Sequence, residues 1–193
     1  MPILKQTLRL VFLASVTAMS VTAALPAWAQ KVRLATSLGD IVVELDADKA
    51  PKTVDNFLKY VKARHYDGLI FHRVISSFMI QGGGYTPELS ERPVRAPIAL
   101  ESRSGLSNVR GAISMARTQV PNSATSQFFI NVNDNSRLDQ PNAADGEGYA
   151  VFGKVVEGMD VVDKIREVPT TPKGMQQNLP VTPVVINKVS LEK

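Results

Sequence analysis

The chain has 193 residues, of which 44% are hydrophobic and 21% charged, values that exclude collagen-like, coiled-coil and wholly disordered chains. It contains no cysteine, so a disulfide framework, a cysteine zinc site, an iron–sulfur cluster and a thiol nucleophile are all excluded. The net charge is +4, and Lys5 and Arg9 of the N-terminal segment account for two of those charges, so the remainder is too weakly basic to imply a nucleic-acid partner.

Lys5 and Arg9 precede a charge-free run from Leu10 to Gln30 rich in Leu, Val and Ala, with Pro26 ahead of Ala27, Trp28 and Ala29. Charged, apolar and small residues in that order predict a secretory signal over residues 1–29, cleaved before Gln30. The alternative is an uncleaved membrane anchor, but Ser15, Thr17, Ser20 and Thr22 dilute the apolar run. Residues 30–193 then form one domain that has no membrane contact once the leader is removed.

Lys31–Thr36 and the alternating Ile41, Val43 and Leu45, joined through Gly39, predict a β-hairpin. From Asp48 to Arg64, Pro51 suits a first helical turn, and Val54, Phe57, Leu58 and Val61 recur at helical spacing. Strands are then predicted over Leu69–Ile75, Phe78–Gln81, Ile98–Leu100, Gly111–Met115, Gln127–Val132, Val151–Val156 and Val184–Leu191. Val161, Val162 and Ile165 after Gly158 predict a second, shorter helix. Many short strands with two helices and no βαβ alternation point to an antiparallel barrel or sandwich. Gly82 to Pro97 and Asp139 to Gly148 read as long loops, which often border sites.

On a regular strand Phe71, Arg73 and Ile75 share one face and His72 and Val74 the other, while Met79 and Gln81 lie together on the next strand. An arginine in so apolar a segment is expensive to bury without acceptors, and Gln81 is the nearest side-chain carbonyl that could orient it. The other reading is an arginine that snorkels to solvent. Phe78, Met79 and Phe129 with Arg73, Gln81 and Gln127 combine apolar walls with a few polar groups, the composition of a binding pocket. Other chemistries find no support. His65 and His72, the two histidines, lack metal-ligand spacing. No GxSxG elbow is present, and Gly82, Gly83 and Gly84 match neither phosphate-loop pattern and read as a turn. Asp145 and Glu147 lack the spacing of a calcium loop.

Phe71 to Gly83 (FHRVISSFMIQGG) resembles the signature of the cyclophilin-type peptidyl-prolyl cis-trans isomerases, and three further blocks follow in order: Gly111 to Ala116 (GAISMA), Ser126 to Ile130 (SQFFI) and Val151 to Val155 (VFGKV). The resemblance covers roughly Val32 to Leu191. It implies a closed eight-stranded antiparallel β-barrel capped by two α-helices, with the site on the outer barrel surface. By the same resemblance Arg73 is the catalytic arginine, Phe78, Met79, Phe129 and Leu138 line a proline pocket, and Gln81, Ala116, Arg117 and Gln127 hold the substrate backbone.

Three positions depart from the best-known relatives. Arg137 replaces a common tryptophan, which implies weak cyclosporin binding; Tyr149 replaces a histidine in the pocket wall; Arg117 replaces an asparagine at a place where the family uses mainly backbone groups. No metal, nucleotide or other cofactor is implied. The expected partners are proline-containing unfolded or flexible polypeptides in the periplasm, and the protein is expected to be a monomer. The competing function is a module that holds proline segments without turnover, and an intact Arg73 argues against it.

Overall fold

A computed structural model describes residues 30–192; the expected leader, residues 1–29, lies outside the described residues, as does Lys193. The elements run in the order β1 (Lys31–Thr36), β2 (Gly39–Leu45), α1 (Pro51–Lys62), β3 (Leu69–Ile75), β4 (Met79–Gly82), β5 (Ala112–Met115), β6 (Phe128–Asn131), a 3-10 turn (Ser136–Leu138), β7 (Val151–Glu157), α2 (Met159–Arg166), β8 (Thr170–Lys173), β9 (Gln176–Pro180) and β10 (Val185–Leu191). Eight strands close into an antiparallel barrel in the order β1-β10-β3-β4-β6-β5-β7-β2, and β8 and β9 form a separate hairpin. Closure leaves the barrel with no unpaired edge.

Strand alternation fills the interior. Ile80, Ile130 and Ile113 are ladder partners across β4, β6 and β5, and all three are fully buried in the core. Their neighbours Met79, Gln81 and Phe129 therefore point outward. Helix α1 lays its predicted apolar stripe onto this interior, with Phe57 centred 5.8 Å from Phe128 edge-to-face and 5.2 Å from Phe152. Its first turn carries no acidic residue and Ala50 offers no cap. Glu101, from a distant loop, accepts instead from the amides of Lys52 (3.1 Å) and Thr53 (2.8 Å) and from the Thr53 hydroxyl (2.7 Å). Helix α2 buries Val161, Val162 and Ile165, as expected. The preceding Gly158, at φ 85°, lies so near β2 that a Cβ would sit 2.2 Å from the Asp40 carbonyl, so no other residue fits.

Three expectations are corrected. Ile98–Leu100 is not a strand: Ile98 makes one bridge to Ala124, and the Leu100 amide goes to the Asn122 side chain at 2.9 Å, which ends the ladder. The β8–β9 hairpin falls in a stretch with no predicted element; β8 is exposed along its whole length and so carries no alternation of buried residues. Finally, β3 does not alternate regularly. The register against β4 shifts between Phe71 and Arg73, and Phe71 and Val74 both enter the core while Arg73 and Ile75 stay half-buried. A bulge at His72 thus places Phe71 and Arg73 on opposite faces.

Candidate active site

Arg73, Gln81, Phe129 and Ser114 are successive ladder partners on β3, β4, β6 and β5, so one row of outward-facing positions crosses four strands. Arg73 Nη1 donates to Gln81 Oε1 at 3.3 Å, and Gln81 Nε2 donates to Gln127 Oε1 at 2.9 Å. The cation is therefore positioned by a relay of two amides, as the sequence suggested for Gln81. Gln127 precedes β6 and fits against Gly84, where a Cβ would come within 2.7 Å of its amide nitrogen. The three glycines after Gln81 serve as the end of β4 and a turn that makes room for this side chain.

Beside the arginine lies a cavity of about 200 Å³ lined by Arg73, Phe78, Met79, Gln81, Ala116, Arg117, Phe129, Leu138 and Tyr149. Nine of the ten residues singled out in the sequence thus meet in one hollow, and Gln127 joins it through Gln81. Phe78 sits in the turn before β4 rather than in the strand, and Leu138 ends the 3-10 turn. A larger groove of about 750 Å³ runs along β2, β5 and β7, but its cations are engaged, Arg110 with Asp163 at 2.7 Å and Lys154 with Glu44 at 3.5 Å.

Both arginines that depart from the commoner family residues are held by aromatic rings. Arg137 is centred 4.6 Å over Phe78 and Arg117 4.6 Å over Tyr149. Tyr149 meets Phe129 edge-to-face at 5.6 Å, closing the pocket wall. Arg117 also donates to the carbonyls of Gly148 (2.9 Å) and Thr118 (3.0 Å) and pairs with Asp145. That pairing, aided by the amides of Glu147 and Gly148, holds the Asp145 carboxyl down at about 2. The Arg117 side chain is 1% exposed although the residue as a whole is half-buried, so what it turns outward is backbone.

His72 is the neighbour that strand alternation misplaced. The bulge sets it beside Arg73 on the outer side, its ring 4.7 Å from Tyr85. Burial, reinforced by the Arg73 charge, lowers its pKa to about 4, and among the described residues its Nδ1 has no hydrogen-bond partner. It is neutral at physiological pH.

The family model for cyclophilin-type peptidyl-prolyl cis-trans isomerases matches residues 31–191. The chain belongs to the cyclophilin family. This cyclophilin is 50% identical over 184 residues to peptidyl-prolyl cis-trans isomerase A of Dickeya dadantii, a match covering 93% of this chain and 96% of that protein. To peptidyl-prolyl cis-trans isomerase B of Escherichia coli it is 50% identical over 159 residues, covering 82% and 97%. The crystal structure of a Cryptosporidium parvum cyclophilin-type isomerase, determined in the presence of the dipeptide Ala-Pro, superposes with a TM-score of 0.73 at 28% identity and covers 85% of this chain and 99% of that one. This cyclophilin is accordingly a peptidyl-prolyl cis-trans isomerase.

Sequence reasoning passed over Asn108, Asn131 and Asn135, which lie buried behind the pocket, and weighed Asp145 only as a calcium ligand, not as the partner that secures Arg117. The alternation Asn131, Asn133, Asn135 was the signal available for Asn131 and Asn135, and Asn108 had none.

Proposed function

We propose that this isomerase is exported and accelerates X-Pro rotation in flexible periplasmic polypeptides, with Arg73 as its catalytic residue and the Phe78, Met79, Phe129, Leu138 and Tyr149 hollow as its proline pocket. Gln81, Gln127, Ala116 and the backbone of Arg117 hold the chain on either side. The observation that carries the reading is a cation oriented by Gln81 in the wall of a cavity of about 200 Å³, a size that suits a small ring, with Phe78, Met79, Phe129 and Leu138 among its other walls. Export is supported by the leader pattern and by the Dickeya relative, whose match takes in more of this chain than residues 30–193 contain.

Amide resonance gives the uncatalysed X-Pro bond a barrier of about 18–20 kcal/mol, and exchange takes tens of seconds or more. Twisting removes that resonance, and the prolyl nitrogen becomes pyramidal and regains a lone pair. A guanidinium, charged at every working pH, hydrogen-bonds to that lone pair more strongly than to the planar nitrogen. The interaction is stronger in the transition state than in the ground state, which is the condition for acceleration. The pocket holds the ring in planar and twisted states alike while the preceding residue rotates. No bond is broken.

The test is an X-Pro peptide isomerisation assay on the wild-type protein and Arg73→Ala. The variant should lose 10²-fold or more in kcat/KM, the scale of removing one preorganised donor, while weak binding of the peptide survives. A folded Arg73→Ala at full rate sinks the arginine mechanism.

A further inference from the structure

Asn135, 2% exposed, lies between β6 and the 3-10 turn and does not line the cavity. Its side-chain amide donates to the Phe78 carbonyl and to Asn131 Oδ1, each at 2.8 Å. Its own carbonyl accepts from the Leu138 amide at 2.8 Å, and the Leu138 carbonyl accepts from the Tyr149 amide at 2.9 Å. One buried residue is therefore bonded directly to the backbone of two pocket walls and, through the second, to a third.

What lies behind Asn135 makes this anchor rigid. Asn131, fully buried, donates to Asn108 Oδ1 (3.3 Å) and to the Ala112 carbonyl of β5 (3.2 Å). Asn108, also fully buried, donates through its backbone and side-chain amides to Asp139 Oδ1 at 2.7 and 2.8 Å. Asp139 follows Leu138, so the chain of amides leaves one pocket wall and returns beside it. The Asn135 backbone N–H closes the loop by donating to the Asn108 backbone carbonyl at 2.8 Å. Buried amides are costly unless bonded. A fully satisfied network holds its members in one arrangement.

We propose that Asn135 is a positioning residue of the isomerase, setting the separation of Phe78 and Leu138 so that a prolyl ring fits between them. This rests on the reading of the hollow as the proline pocket. Because the pocket grips the ring in planar and twisted states alike, loosening it removes uniform binding: KM and the peptide Kd rise and kcat is kept.

The experiment compares Asn135→Asp, Asn135→Ser, Glu101→Ala and Phe129→Ala with wild type in the full chain, measuring kcat and KM for one proline peptide well below each Tm. Asn135→Asp is nearly isosteric but replaces the donor with a carboxylate facing two acceptor oxygens; Asn135→Ser is the uncharged second variant should the first not fold. The expected result is a roughly tenfold rise in KM for the Asn135 variants, the scale of losing one buried hydrogen bond, with kcat within about twofold of wild type. Glu101→Ala lowers Tm through α1 and should leave KM unchanged. Unchanged KM in a folded Asn135 variant overturns the inference, as does an equal rise in Glu101→Ala. If Phe129→Ala also leaves KM unchanged, the pocket reading falls as well; if Phe129→Ala raises KM and the Asn135 variants do not, this inference alone fails.

Discussion

Arg73 and Gln81 face each other across the β3–β4 ladder, and the guanidinium donates to the amide oxygen at 3.3 Å while that amide is itself held by Gln127 at 2.9 Å. The orientation of the cation is thus borrowed from two neutral side chains, which among the described residues leave most of its donors unspent. Gln81→Ala should reduce kcat/KM about tenfold by freeing the guanidinium to rotate. Gln81→Glu should also slow turnover, because a charge-assisted bond to the new carboxylate competes with the weakly basic prolyl nitrogen. Steady-state kinetics on the two variants check both statements; a Gln81→Ala enzyme at full rate would falsify the positioning role.

His72 predicts two different pH responses. With its pKa lowered to about 4, it stays neutral from pH 6 to 8, so kcat/KM should be flat there and His72→Gln should cost little turnover. Stability behaves otherwise. The unfolded imidazole takes a proton near its ordinary 6.5 and the folded one only near 4, so the unfolded state binds more protons in that window. The full stability is present above about pH 6.5 and falls as pH drops toward 4, by on the order of 3 kcal/mol. Thermal unfolding from pH 7 to 4 should show a Tm decline that is shallower in His72→Gln; parallel declines would count against the assignment.

Glu101 caps α1 from a loop 48 residues away. Glu101→Ala should cost about 1 kcal/mol, the usual loss of an N-cap acceptor, and leave turnover unchanged, since Glu101 does not line the hollow that holds Arg73. Calorimetry and the isomerase assay on the same preparation would show whether the two properties separate.

The Arg137 guanidinium covers Phe78 at 4.6 Å in place of the indole that the resemblance leads one to expect. Cyclosporin should bind weakly to this chain, and Arg137→Trp should bind it more tightly. Titration with tight inhibition of the wild-type enzyme would refute this.

Cleavage between Ala29 and Gln30 would remove Trp28, the one tryptophan of the chain. The exported protein should then fluoresce as a tyrosine protein, and its intact mass should correspond to residues 30–193. A periplasmic mass that retains residues 1–29 would instead indicate an anchored protein.

Amphipathic periodicity and ordered motifs revealed most of this molecule. The stripe Val54, Phe57, Leu58, Val61 became the buried face of α1, and the alternation Met79, Ile80, Gln81 sent the isoleucine inward and its neighbours to the pocket. These features are local: a residue's own spacing decides which way it faces. Of the residues of the hollow, Arg73, Phe78, Met79, Gln81 and Phe129 were legible in their own segments, whereas Ala116, Arg117, Leu138 and Tyr149 were implied only by the family resemblance.

Tertiary structure decided what depends on a distant partner. The bulge that puts His72 beside Arg73 is a property of the β3–β4 register, and a strand read alone shows only its period of two. Ile98–Leu100 has strand composition, but its ladder stops because Asn122 takes the next amide. The cap of α1 comes from Glu101 and the frame behind the pocket from Asn108, Asn131 and Asn135, polar residues whose spacing alone says nothing about what they bind. A hydrogen bond between residues far apart in the chain exists only once barrel closure has brought donor and acceptor within 3 Å or so, and that is why sequence determined the faces of the regular elements while only the closed barrel determined the contacts and the bulged face of β3.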